Sequence, residues 1–136
     1  VDTDLIETLL MNGYTPIIST IGLDEKYNAY NINADDVATA IARALKASKL
    51  VFLTDIEGVL KDPNDPKTLI SKINTASAKV LFESGIIQGG MIPKLQNCID
   101  AVQNDVNKVH ILDGRMEHSL LVEIFTTNGV GTEIKK

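Results

Sequence analysis

The run Leu50-Val-Phe-Leu53 is apolar at every position and is bounded by Lys49 and Thr54. A strand with no polar face has to be covered on both sides, which is the condition of a central strand in a parallel sheet with helices above and below. Lys108-Val-His-Ile-Leu112 reads as a second buried strand of the same kind. Between these runs the apolar period changes from strand to helix. Val37, Ala38, Ile41, Ala42 and Leu45 mark a long helix from Ala34, and a helical pattern recurs from Leu95 to Val102. Strands and helices alternating at this spacing predict βαβ units, hence a layered α/β/α fold with a mostly parallel sheet.

The other segments are assigned in the same way. Leu5, Ile6, Leu9 and Leu10 form a helical stripe over residues 4–12, closed by Asn12-Gly13. Residues 16–20 read as a buried strand and 26–32 as a second extended segment. Residues 69–73 predict a short strand, and 75–83 a helix capped by Thr75 and closed by Gly85. Residues 117–125 predict a helix, and 129–134 a final loop and strand. No linker, internal repeat or low-complexity segment divides the 136 residues, so a single domain spanning 1–136 is expected.

Composition removes several functions. Thirteen basic against eighteen acidic residues, net −5, argues against a nucleic-acid or anionic-membrane surface. Any anion site must therefore be local. The single cysteine, Cys98, excludes an internal disulfide framework and is expected to be a buried thiol of a reducing compartment. With no membrane-length apolar run and no signal-peptide start, a cytoplasmic location is expected. No His/Cys cluster has zinc spacing, so no resident metal site is expected.

Ile86-Ile-Gln-Gly-Gly-Met-Ile-Pro-Lys94 carries the strongest chemical signal. Glycines before a helix let a ligand approach the backbone, and the amides and macrodipole of a helix start favour an anion. Lysine is a poor neighbour for that positive end unless an anion sits there. The Gly-Gly pair also serves as a plain turn, and the stretch has neither a Walker ending nor a G-x-G-x-x-G spacing. A phosphate site and a turn both remain open on these residues alone.

Asn31 and Asn33 lie two apart in an extended segment and can project to one side, offering donors and acceptors to a small substrate. Asn33 equally suits a helix cap. Asp35 serves either as a first-turn acid or as a partner for lysines in phosphate chemistry. Thr54 and Asp55, at the end of a strand, either contact a nucleotide or open a turn.

Four stretches occur together, in this order and spacing, in N-acetylglutamate kinases of the amino-acid kinase superfamily, and the chain resembles that family over essentially its whole length. They are Asn31-Ile-Asn-Ala-Asp35, Leu53-Thr-Asp-Ile-Glu-Gly-Val-Leu60, Gly89-Gly-Met-Ile-Pro-Lys94 and Gly129-Val-Gly-Thr132. The resemblance implies ATP-dependent phosphorylation of the γ-carboxylate of N-acetyl-L-glutamate, a step of arginine biosynthesis, with magnesium arriving on the ATP. Lys94 then corresponds to the lysine that stabilises the transferring phosphoryl group, and Asp35 to the acid that organises catalytic lysines. Asn31 and Asn33 resemble acetylglutamate ligands. Thr54, Asp55, Ile56, Glu57, Gly58, Val59 and Leu60, with Ile86, Ile87, Gln88, Gly89 and Gly90, correspond to the nucleotide pocket.

The resemblance also implies that the chain is the carboxyl-terminal, nucleotide-binding half of such a kinase. The family's amino-terminal half, with its glycine-rich phosphate loop, second lysine and substrate-gripping residues, is expected to be missing from residues 1–136. Self-association, or pairing with that half, is expected. His110, Glu123 and Gly129 match the site at which inhibited members bind L-arginine. A stand-alone nucleotide-binding or regulatory module without turnover is the alternative.

Overall fold

The computed structural model describes residues 1–136. Its four-stranded sheet has the order β3-β5-β6-β4, formed by β3 (Leu50–Thr54), β4 (Lys72–Asn74), β5 (Lys108–Asp113) and β6 (Thr132–Lys135). The β3–β5 and β4–β6 pairs are parallel and β5–β6 is antiparallel. The expected α/β layering with a mostly parallel sheet is therefore present. A separate two-stranded antiparallel sheet joins β1 (Ile21–Leu23) to β2 (Ala29–Asn31).

The helices are α1 (Asp4–Met11), α2 (Ala34–Ala44), α3 (Thr75–Glu83), α4 (Met91–Gln103) and α5 (Ser119–Phe125). Leu95, Cys98, Ile99 and Val102 recur on α4 at three- and four-residue intervals and are all buried. They pack with Phe52, Val109, Ile111 and Ile134 in one core. On β5, Val109 and Ile111 join this core, while His110 turns to the other face and meets Glu123 of α5. Both faces of β5 are thus covered, and Val109 to Leu112 are all buried. No helix is long and apolar enough to cross a membrane.

Several expectations are corrected. The run at 50–54 is parallel but lies at the edge of the sheet, and Leu53 on its second face is 59% exposed. Residues 16–20 form no strand, and Ile17 is 98% exposed. The physical cause is the turn at Asp24, whose carboxylate accepts from the N–H groups of Lys26 and Asn28, the Asn28 amide and the Tyr30 hydroxyl. That turn sets Ile21 opposite Asn31 and leaves 16–20 without a backbone partner, apart from the Thr20 carbonyl that accepts from Ile32 N–H.

The predicted strand at 69–73 moves to Lys72–Asn74, because Asp65 caps a 3₁₀ turn over Pro66–Thr68 just before it. The cap of α3 is Asn74, in a reciprocal box with Ser77, and Thr75 is the first helical residue. Helix α4 begins four residues before the predicted pattern, taking Pro93 and Lys94 into its first turns. Helix α5 starts only at Ser119, after His118 in the left-handed region (φ 59).

Candidate functional site

A cavity of about 390 Å³ opens between the loop after β3 and the start of α4, beyond the carboxyl end of β3. Asp55, Ile56, Gly58 and Leu60 form one wall, Ile86, Ile87, Gln88 and Gly90 another, and Lys94 reaches it from α4. Gly89, at φ 55, makes the turn into α4. A side chain added at Gly89 or Gly90 would meet no protein atom, so open space lies beside both.

Lys94 is held in two ways. Its ammonium donates to Asp35 Oδ2 at 2.5 Å and lies 5.3 Å from the centre of the Phe52 ring. Both side chains of the ion pair are largely shielded, at 19% exposure for Lys94 and 30% for Asp35. Asp35 owes its position to Asn33, whose Oδ1 caps α2 by accepting from Asp35 N–H (2.9 Å) and Asp36 N–H (3.3 Å). Two further ties run along α2 and α4, from Asn97 to Asp36 (2.8 Å) and from Arg43 to Asp100 (2.7 Å). The fold thus brings together two groups 59 residues apart in sequence.

The helix start itself offers few free amides. Met91 and Ile92 N–H turn back to the Gln88 and Gly89 carbonyls at 3.2 Å, and Pro93 has no donor. Attraction for an anion at this end therefore rests on the Lys94 ammonium more than on a nest of backbone donors.

The remaining residues singled out from the sequence divide. Glu57 and Gly89 stand outside the cavity wall. The Thr54 hydroxyl closes its own turn, accepting from Ile56 N–H at 3.2 Å and lying 2.9 Å from the Ile56 carbonyl. Val59 is fully buried in the core. Asn31 is exposed at the end of β2, and Asn33 is a helix cap with its amide group still available. Sequence reasoning missed Phe52, Pro63, Met91 and Asn97. Asn97 could have been found, since it lies one turn from Lys94 on the same helix face.

A second cavity, of about 270 Å³, is lined by His110, Glu123, Gly129, Lys49, Lys108 and Glu133, among others. His110 Nδ1 lies 2.7 Å from Glu123 Oε1, and both side chains are 5% exposed. Oε2 of Glu123 accepts from Val130 N–H (2.7 Å) and Gly131 N–H (3.0 Å). Burial pushes the Glu123 carboxyl up, but those two N–H groups and the His110 ring outweigh it and hold the group below its ordinary value. Gly129, at φ 62, is pressed against the same carboxylate and has no room for a side chain. His110 Nε2 is buried without a partner. Cys98 is the buried thiol expected, pushed by burial to about 12.

This layered fold, with its cavity at a strand end and its lysine–aspartate pair, defines a class. The chain belongs to the amino acid kinase family, whose profile matches residues 1–113. Its curated relatives are more particular. Acetylglutamate kinase of Brachyspira hyodysenteriae is 54% identical over 136 residues, covering 100% of this chain and 47% of that protein. The enzyme of the same name from Campylobacter jejuni is 57% identical over 132 residues, covering 97% of this chain and 47% of that protein. The chain thus spans about half the length of the curated relatives it matches.

Among solved structures, N-acetylglutamate synthase from Neisseria gonorrhoeae, complexed with coenzyme A and L-arginine, superposes with a TM-score of 0.91 at 29% identity. The match covers 100% of this chain and 31% of that one. Carbamate kinase from Giardia lamblia shares the fold, with a TM-score of 0.74 at 22% identity over 100% of this chain and 50% of that one.

Proposed function

We propose that this chain is the carboxyl-terminal, nucleotide-binding half of a kinase that phosphorylates the γ-carboxylate of N-acetyl-L-glutamate with MgATP, in arginine biosynthesis. The observation that carries this reading is the Lys94–Asp35 pair at the mouth of a cavity walled by the two expected nucleotide segments. The acetylglutamate kinases among its relatives favour it over a binding module without turnover.

In the reaction a γ-carboxylate oxygen attacks the terminal phosphorus of ATP and the bond to the bridging oxygen breaks. The products are an acyl phosphate and ADP. Such a transfer is stabilised chiefly by positioned positive charge. Lys94 supplies one such charge, and Asp35 fixes its ammonium in place. Asn31 and the free amide of Asn33 contact acetylglutamate. No three His, Cys, Asp or Glu side chains gather here to hold a metal ion by themselves. A magnesium ion arriving with the nucleotide would draw most of its oxygens from the phosphates and water.

The His110, Glu123 and Gly129 cavity takes L-arginine as an inhibitor, the charge of Glu123 favouring the guanidinium while its own oxygens stay bonded to His110, Val130 and Gly131. The exposed apolar residues of α1 and the 16–32 segment belong to an interface with the remaining part of the protein or with another copy. Titration calorimetry with MgATP tests the reading. Saturable binding that Lys94→Ala weakens by about 1.5–3 kcal/mol supports it, and no binding to folded protein overturns it.

A further inference from the structure

The wall formed by residues 55–60 belongs to no helix or strand, yet it must keep a fixed shape if it is to hold a nucleotide. Its buried residues are Gly58 and Val59, and both are secured by one side chain from the other end of the chain, Thr132. The Thr132 hydroxyl is fully buried at the first position of β6. It accepts from Val59 N–H at 2.9 Å and donates to the Ile70 carbonyl at 2.8 Å. Ile70 N–H in turn donates to the Val59 carbonyl at 2.8 Å.

These bonds close a ring through Thr132, Val59 and Ile70. Gly58 lies directly over it at φ 149, where an added Cβ would stand 2.6 Å from the Thr132 oxygen and 2.9 Å from Leu69. Gly58 and Leu60, on either side of the anchored Val59, both line the cavity. A hydroxyl is needed here because only a group that donates and accepts can satisfy both backbone partners.

We propose that Thr132 is a positioning residue for the nucleotide: through Val59 it sets the place of Gly58 and Leu60 in the cavity wall, without touching the ligand. The proposal rests on the functional reading above. Valine keeps the shape of threonine but leaves Val59 N–H and the Ile70 carbonyl unpaired in a dry site, so the wall relaxes to reach other partners. The acceptor side of the site, around Asn31 and Asn33, is built from different elements and is left unchanged.

The test is steady-state kinetics on the full-length protein that carries this chain, comparing wild type, Thr132→Val and Thr132→Ser. Thr132→Val should raise the KM for ATP about tenfold, the worth of one or two lost hydrogen bonds, and leave the KM for acetylglutamate within about twofold. Thr132→Ser, which keeps the hydroxyl, should return the KM for ATP to within about threefold of wild type. Should Thr132→Val fail to fold, Gly58→Ala displaces the same wall from the opposite side and should give the same split. An unchanged KM for ATP in a folded Thr132→Val or Gly58→Ala variant overturns the proposal, as does an equal rise in both KM values. Wild-type protein that binds no ATP overturns the functional reading itself and this role with it.

Discussion

Replacing Lys94 by methionine removes the ammonium while keeping most of the side-chain volume. Two consequences follow, with different magnitudes. The ion pair with Asp35 is lost, but both groups keep some contact with water, so the stability change should stay at about 1–2 kcal/mol. If Lys94 stabilises charge on the moving phosphoryl group, the barrier should rise by about 2.7–4 kcal/mol, as for other preorganised donors. Each 1.36 kcal/mol is about a factor of ten, so turnover should fall by about two to three orders of magnitude.

A coupled assay of ADP release on the full-length protein reads this loss, and a thermal melt separates it from unfolding. Lys94→Arg should not fully restore the rate, because the guanidinium can still pair with Asp35 and stack on Phe52 but spreads its charge over a larger plane and cannot present it at the point the compact ammonium occupies. Asp35→Asn should be strongly non-additive with Lys94→Met, since the two groups act as one unit. A folded Lys94→Met enzyme with turnover within about threefold of wild type would refute the assignment.

Two other outcomes are expected. Because the folded Glu123 carboxyl titrates below its unfolded value near 4.5, its contribution is complete above that pH and disappears as pH falls through the folded value. Melting temperature should drop on acidification below about pH 4.5. Glu123→Gln should cost about 1.5–3 kcal/mol at pH 7 and flatten part of that acid slope, with the lowered carboxyls of Glu133, Asp24 and Asp113 also contributing to it; an unchanged slope in the variant would contradict this reasoning. Residues 1–136 prepared as an isolated polypeptide should self-associate through Ile17, Leu53 and the uncovered face of α1, and a monodisperse monomer in light scattering at high concentration would count against it.

The long elements were legible because their signals are local. The period of Leu95, Cys98, Ile99 and Val102 favours a helix whatever surrounds it, and a four-residue apolar run such as 50–53 between polar residues is too short for a helix and favours a strand. What the run could not disclose was its place in the sheet. Edge or centre depends on which strands lie beside it, a property of distant residues, and β3 finds only β5 in this chain. Residues 16–20 failed for a related reason: their strand character is real, but the Asp24 turn allots the available pairing to 21–23 instead.

The candidate site was legible in a different measure. The glycine-pair segment at 86–94 was visible in its own residues as a candidate anion site, whereas the nucleotide reading of 54–60 and the pairing of Asp35 with Lys94 followed from the resemblance, since nothing in either local sequence demands a contact across 59 residues. Of the two roles its sequence position allowed, Asn33 is seen in the helix cap, which occupies its oxygen and leaves its amide without a bond inside the protein. Phe52 escaped notice because a buried aromatic in a strand looks like core, and here it is core that also faces a lysine. Val59 and Thr54 were grouped with the pocket by position in a motif, whereas packing shows them supporting the wall from behind.

Phosphorus NMR on the full-length protein with MgATP, offering N-acetyl-L-glutamate, unacetylated glutamate and carbamate in turn as acceptors, reads which of them receives the phosphoryl group. An acyl-phosphate signal and matching ADP are expected with N-acetyl-L-glutamate, and neither with the other two. Transfer to carbamate or free glutamate in preference, or no transfer to any acceptor by folded, ATP-binding protein, would contradict the proposed function.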